Sequence, residues 1–311
     1  MKSPSISARA PDGANSPTPG KQRSDIMVSL HNSAQEWERN AQADALWAVL
    51  SDSTRTSQAW RADEFFATGK TEARIVVDHL DQLGIRPDAY GQFLDFGCGV
   101  GRVTRALMAY FSSGIGLDVS ATMIEQAKSY SALDERSAYY AVSTDDNLGL
   151  IRSASVDFVY SHIVLQHMPQ AAQLRFIREF TRVLKPGGVA AFQIPSGQVE
   201  NLRGRTVRAF KRGLQRSLPS SLLSPLRRAL GKNASVARVT MAMTICPEAT
   251  IRASVYAGGC GVVDAPFTNS TDPDHRGEIC FMTEDGARAA IRDRKTVSPY
   301  LSQFFFIRKG V

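Results

Sequence analysis

Three groupings in this 311-residue chain have residue types and spacing suited to chemistry. The first is Phe93-Leu-Asp-Phe-Gly-Cys-Gly-Val-Gly101, in which Gly97, Gly99 and Gly101 follow an apolar run and precede a helical pattern. Glycines let the backbone approach a ligand closely, and a helix amino end offers unpaired N–H groups. The second is Asp118, 21 residues beyond Gly97 at the end of Gly114-Ile-Gly-Leu-Asp118. A carboxylate there can accept hydrogen bonds from both hydroxyls of a ribose. The third is Ser161-His-Ile-Val-Leu-Gln-His167, which sets two imidazoles, His162 and His167, just past another apolar run, as candidate general bases or as purely structural side chains. The first two groupings together read as a nucleoside site on an α/β fold.

Two cofactor classes share that architecture. A dinucleotide site carries G-x-G-x-x-G, whereas the spacing here is G-x-G-x-G, with Asp95 two residues before the first glycine. A carboxylate repels a pyrophosphate and attracts an ammonium or sulfonium group, so the contrast favours a cationic nucleoside ligand over a nicotinamide dinucleotide. The four cysteines (Cys98, Cys246, Cys260 and Cys280) show no C-x-x-C spacing, which argues against a zinc site and a disulfide scaffold.

The elements that must position these groups form an alternation. Strand patterns at Gln92–Phe96, Gly114–Val119, Ala138–Val142, Val156–Ser161 and Gly188–Ile194 are separated by helical patterns at Val100–Phe111, Ala121–Tyr130 and Gln170–Leu184. Strands joined through single helices predict a doubly wound, mostly parallel sheet with right-handed crossovers. Later patterns give a strand near Val239–Ile245, a helix at Pro247–Tyr256, a strand at Gly261–Pro266 and a last apolar run at Leu301–Ile307. Two helices precede the sheet, Ser33–Leu50 and Arg61–Leu83, which either cap the active site or pack against the sheet, and Trp60, Phe65 and Phe66 are expected to supply apolar walls for the acceptor. The expected organisation is a disordered tail (1–25, with four prolines), a helical cap (26–88) and the core (89–311), interrupted by a basic helical insertion at 198–236.

The formal charge of +7 is local. Asn201–Lys232 holds nine basic residues and no acidic one, so 7 less 9 leaves −2 on the rest. Three readings of 203–232 stay open: a lid over the substrate, an amphipathic helix at a membrane surface, and a nucleic-acid contact. Phe210 is its sole aromatic residue, so the stacking platforms of single-strand binding are missing and nucleic acid is the least favoured partner. No apolar stretch is long enough to span a bilayer, and the first residues lack the apolar block of a secretory signal. The expectation is a cytoplasmic protein.

The Leu94–Gly101 motif resembles the first motif of class I S-adenosylmethionine-dependent methyltransferases. Val156-Asp-Phe-Val-Tyr-Ser-His-Ile-Val-Leu-Gln-His-Met-Pro169 resembles the fourth-strand motif of their small-molecule branch, and Leu184-Lys-Pro-Gly-Gly188 resembles the turn before their fifth strand. The resemblance implies a seven-stranded Rossmann-like sheet, S-adenosylmethionine as methyl donor and S-adenosylhomocysteine as product. It places Gly97, Cys98, Gly99 and Gly101 against the methionine part of the cofactor, Asp95 near its amino group and Asp118 on the ribose. Val119 and Met123 become neighbours of adenine, Asp145 or Asp146 its N6 partner, and Ser161 a further cofactor neighbour. The implied acceptor is a small molecule that attacks through O, N or S, with His162, His167 and a late-loop His275 as candidate bases. Glu-x-x-Glu-His, which binds metal in some quinone-precursor enzymes, is replaced by Ile163-Val-Leu-Gln-His167, so no metal is expected. An RNA or protein methyltransferase, an enzyme of lipid-linked acceptors and a non-catalytic cofactor-binding protein are the alternatives.

Overall fold

The computed structural model describes residues 19–50, 60–88, 91–132, 134–199, 243–270, 278–293 and 299–310. The element order is α1 (Pro19–Val49), α2 (Ala62–Gln82), β1 (Gln92–Phe96), α3 (Arg102–Leu107), β2 (Ser113–Asp118), α4 (Ala121–Ser131), β3 (Tyr139–Val142) and β4 (Val156–Ser161). A 3₁₀ turn (Leu165–His167), α5 (Gln170–Val183) and β5 (Leu184–Gln198) follow. The chain closes with α6 (Glu248–Ala257), β6 (Cys260–Asp264), β7 (Phe267–Thr268), β8 (Phe281–Met282), α7 (Glu284–Asp293) and β9 (Tyr300–Lys309).

β3, β2, β1, β4 and β5 lie side by side and parallel, and β9 runs antiparallel to β5. Period-2 alternation assigns successive side chains of β9 to opposite faces. Phe304 and Phe306 join the core under α2, α3 and α4 with Val76, Leu80, Leu107 and Phe158. Phe305 and Ile307 join the core under α5 and α6 with Phe176, Phe180 and Phe192. Strands covered on both faces need apolar residues at every position, which is why β5 and β9 read as continuous apolar runs.

The structure departs from the sequence expectations at the carboxyl end. Nine strands are present among the described residues, because β6 and β7 both pair with β9 and β8 extends from β7. Of the strand expected near Val239–Ile245, the described residues 243–245 are not strand. Thr244 N donates instead to the Gln166 carbonyl at 2.8 Å. α1 begins at Pro19, inside the expected tail. It breaks at Asp44 (φ −165°, ψ 97°), whose carboxylate accepts the Trp47 N–H at 3.1 Å and starts a new helical turn, as an N-cap does. The basic segment 203–232 and His275 lie outside the described residues.

Candidate active site

β1 ends on Asp95 and Phe96, and the chain turns through a glycine loop into α3. Gly97, Gly99 and Gly101 have φ of 78°, 54° and 81°, a region that residues with a Cβ enter only at a cost. The loop is tied to β2: Gly97 N and Cys98 N both donate to the Leu117 carbonyl, at 2.8 and 3.0 Å. Asp118 completes the tie, its two oxygens accepting from Gly99 N and Ser120 N at 2.9 Å each. Burial raises the Asp118 carboxyl above its ordinary range, against the amide hydrogen bonds that favour its charged form.

Asp95 is 3% exposed and accepts the Thr104 hydroxyl at 2.6 Å. Burial pushes its carboxyl up to about 7, with the Glu72 and Asp118 charges adding to the effect and Thr104 and Arg102 opposing it. A cation brought to this carboxylate would stabilise the charged form that burial disfavours.

These groups open on one cleft of about 1050 Å³, counting its solvent-filled mouth. Asp95, Gly97, Cys98, Gly99, Asp118, Val119, Met123, His162 and His167 all line it. α1 forms its outer wall through Leu30, Ala34, Trp37 and Val49. Glu38 holds this wall in place by accepting the Ser120 and Thr122 hydroxyls, both at 2.6 Å, at the start of α4. Those hydrogen bonds hold the Glu38 carboxyl down to about 2. Trp37 meets the His167 ring edge-on, with centroids 5.3 Å apart.

Four of the residues named from the sequence lie elsewhere. Gly101 is outside the cleft lining, beside the Tyr140 hydroxyl. Ser161 donates to the Phe96 carbonyl at 3.0 Å, which ties β4 to β1. Asp145 is exposed, and Asp146 is buried against Arg175 at 3.1 Å. Ser143, three residues before Asp146, lines the cleft where an adenine partner was expected from that loop. The aromatic walls expected from Trp60, Phe65 and Phe66 pack between α1 and α2 with Ala41 and Ala45 instead of facing the cleft.

Sequence reasoning missed a polar group at the cleft floor. Glu72 of α2 is fully buried, and accepts from Arg102 Nη2 at 2.7 Å, the Tyr160 hydroxyl at 2.6 Å and His162 Nδ1 at 2.8 Å. Burial alone would raise its carboxyl, but the Arg102 charge and the hydrogen bonds that His162 and Tyr160 make to it hold it below the usual range. A signal was available: Glu72 falls on the same helical stripe as Phe65, Gly69, Val76 and Leu80, where a charge has no solvent to reach. Among the described residues no group of three His, Cys, Asp or Glu side chains could hold a metal ion, and no helix is long and apolar enough to cross a membrane.

The residues of the cleft fit a cationic nucleoside. A glycine loop approaches one end, Asp118 presents a carboxylate at the end of β2, and Val119 and Met123 offer an apolar surface beside it. A parallel sheet with this strand order, an antiparallel neighbour beyond β5, and a glycine loop and carboxylate at adjacent strand ends define the class I methyltransferase architecture. Residues 94–192 match the family model described as a methyltransferase domain.

Among curated relatives, trans-aconitate 2-methyltransferase of Deinococcus radiodurans is 29% identical over 139 residues, 44% of this chain and 50% of the relative. Malonyl-[acyl-carrier protein] O-methyltransferase of a Methylovorus species is 31% identical over 123 residues, 38% of this chain and 40% of the relative. The chain thus spans about half or less of the curated relatives it matches. The fold is shared with magnesium protoporphyrin IX methyltransferase from Synechocystis, solved with bound S-adenosylhomocysteine. The TM-score there is 0.50 and the identity 14%, over 94% of this chain and 99% of that one.

Proposed function

We propose that the protein transfers a methyl group from S-adenosylmethionine to a small-molecule acceptor, leaving S-adenosylhomocysteine. One observation carries this reading: the glycine loop, Asp95 and Asp118 come from separate strand ends and open on a single cleft walled by α1. In this reading Gly97, Cys98 and Gly99 border the methionine part of the cofactor, Asp95 faces its amino group, and Asp118 takes the ribose hydroxyls. Val119 and Met123 flank adenine. The two curated relatives described above are both named as methyltransferases of small acceptors or of a carrier-bound one, which favours the same class.

The cofactor supplies a methyl carbon on a sulfonium, a leaving group that needs no further activation. The chain's own contribution is alignment of the acceptor at attack distance and exclusion of water. α1 serves exclusion, with Trp37 and Val49 lining the cleft alongside the glycine loop. His162 and His167 border the same space and are within the class of groups that take a proton from an acceptor. The readings that invoke RNA, protein or lipid-linked acceptors rest on 203–232, outside the described residues.

Calorimetric titration with S-adenosylhomocysteine tests the cofactor assignment. Asp118→Ala removes the charged acceptor of both hydroxyls and is expected to cost about 2–3 kcal/mol, or roughly 30- to 150-fold in affinity. Unchanged affinity in a folded variant, or tighter binding of NADH than of S-adenosylhomocysteine by the parent protein, would overturn it.

A further inference from the structure

The cleft crosses the carboxyl ends of four neighbouring strands, in the order β3, β2, β1 and β4. Three strand spacings separate the first from the last, roughly 14 Å. In the reading given above, the cofactor takes the part at β3, β2 and β1, where Ser143, Asp118 and the glycine loop lie. The β4 part is left for the acceptor. α1 spans both. Glu38 reaches the start of α4, after β2, while Trp37 beside it meets the His167 ring, after β4.

The acceptor part is apolar. Leu30, Ala34 and Trp37 of α1 line it together with Val164 and Met168 of the segment after β4, and Leu30, Val164 and Met168 belong to one apolar cluster. Ile163, which also lines it, has φ +60°, a strained conformation for a β-branched residue, and its N–H is held by Gln193 Oε1 at 3.1 Å. Such strain gathers at ligand sites and persists only where partners fix it.

The cleft offers no cation to an acidic acceptor. Among the described residues Arg102 is the sole arginine or lysine in its lining, and it is 5% exposed. Nη1 donates to Thr68 Oγ1 at 3.2 Å and Nη2 to Glu72 at 2.7 Å, while Nε, which has no partner, is covered from solvent. Turning Arg102 toward an acceptor carboxylate would leave Glu72 buried without its cation, which is strongly unfavourable. The carboxylates are engaged too, Glu72 by Arg102, and Asp95 and Asp118 by the cofactor in the reading above, so an ammonium acceptor finds no free partner among them.

We propose that the acceptor is a neutral molecule whose apolar body seats against Trp37, Leu30 and Met168, and that Trp37 is the chief residue selecting it. This rests on the methyltransferase reading. A carboxylate or phosphate entering this part of the cleft loses its water without gaining a cation. Apolar surface gains there by leaving water, and the Trp37 indole, the largest side chain of the wall, supplies most of the contact.

The full-length chain saturated with S-adenosylhomocysteine is titrated by calorimetry with two probes, 2-naphthol, neutral and apolar, and trans-aconitate, a tricarboxylate. The parent protein is expected to bind 2-naphthol roughly 10-fold more tightly or better. Trp37→Ala should weaken 2-naphthol roughly 10-fold or more while S-adenosylhomocysteine affinity stays within a few-fold. Ser33→Arg sets a cation in the same wall and should narrow the ratio of the two affinities roughly 10-fold, a readout that stands even where Trp37→Ala does not fold. Trans-aconitate bound as tightly as 2-naphthol by the parent, no binding of 2-naphthol, full 2-naphthol affinity in Trp37→Ala or an unchanged ratio in Ser33→Arg overturns the proposal. Label from methyl-¹⁴C S-adenosylmethionine, incubated with the low-mass fraction of a cell extract, should pass into ethyl acetate at neutral pH and resist mild alkali. Label retained on an ion exchanger, or released by alkali as methanol from a methyl ester, overturns the acceptor class and leaves the methyltransferase reading standing. Failure of the parent protein to bind S-adenosylhomocysteine removes both.

Discussion

Asp95→Asn should make the protein more stable and a poorer binder, and the two effects arise from the same burial. Asp95 is 3% exposed and its carboxyl is pushed up to about 7 from an ordinary 3.8, chiefly by burial. The folded protein therefore keeps a proton that the unfolded chain releases near pH 4. Its contribution to stability is complete below pH 4 and is lost as pH rises through 7. At about 1.4 kcal/mol per pH unit, the ionised carboxylate costs roughly 4 kcal/mol above pH 7. An asparagine of the same shape stays neutral and still accepts from Thr104, but leaves an amide N–H to satisfy at about 1–2 kcal/mol. The net gain at pH 8 is thus about 2–3 kcal/mol, shrinking toward zero or below at pH 5, where the parent carboxyl is already protonated. Cofactor affinity should fall roughly 10- to 150-fold, the loss of a charge-assisted hydrogen bond worth about 1.5–3 kcal/mol. Urea unfolding at the two pH values and calorimetry with S-adenosylhomocysteine read both. A stability change equal at pH 5 and 8, or full affinity in the variant, would refute the reasoning.

Gly99→Val should be damaging on two counts. The residue sits at φ +54°, and a Cβ there would lie 2.7 Å from Val49 Cγ2, so the glycine loop and the end of α1 cannot both keep their places. Expected are weaker S-adenosylhomocysteine binding by calorimetry and a lower melting temperature, and a variant indistinguishable from the parent would contradict the close approach. Glu38→Ala removes the acceptor for Ser120 and Thr122, and should speed amide exchange across α1 while β1 and β4 stay protected. Because hydrogen bonding holds the Glu38 carboxyl down to about 2, that docking should persist above pH 4.5 and weaken only as pH falls toward 2, which exchange rates in acid can follow. Arg175→Ala leaves Asp146 buried without its cation and should cost roughly 3 kcal/mol of stability by denaturant unfolding. S-adenosylhomocysteine affinity should stay within a few-fold; a large loss would restore Asp146 as a cofactor contact.

The parts of the fold that were legible in the sequence are those set by local rules. Glycines at 97, 99 and 101 are required by backbone geometry, and Asp118 at the end of the next strand is tied to that loop through Gly99 N, so the juxtaposition could be read from spacing. The alternating strands and helices were legible because strands covered on both faces must be apolar throughout. The carboxyl-terminal edge was not. β7 and β8 are two residues each, too short to carry a period, and they exist because β9 offers them an edge. Cys246, which follows that run, is fully buried, but its amide is satisfied by the Pro195 carbonyl without strand pairing among the described residues. Asp146 and the Trp60–Phe66 aromatics misled for a shared reason: residue type shows what a side chain could do, while its direction depends on partners distant in sequence, Arg175 and the inner face of α1. Glu72 is the converse, since its misplaced charge was visible but its partners at 102, 160 and 162 emerge only with the fold.

The central claim is methyl transfer to a small acceptor through this cleft. Its most direct test is to incubate the protein with methyl-labelled S-adenosylmethionine and a whole-cell extract, then separate the products by size and quantify S-adenosylhomocysteine. Label should appear in the small-molecule fraction in step with S-adenosylhomocysteine, and both should fall with Asp118→Ala. Label confined to RNA or protein, or no S-adenosylhomocysteine formed although the cofactor binds, would contradict it.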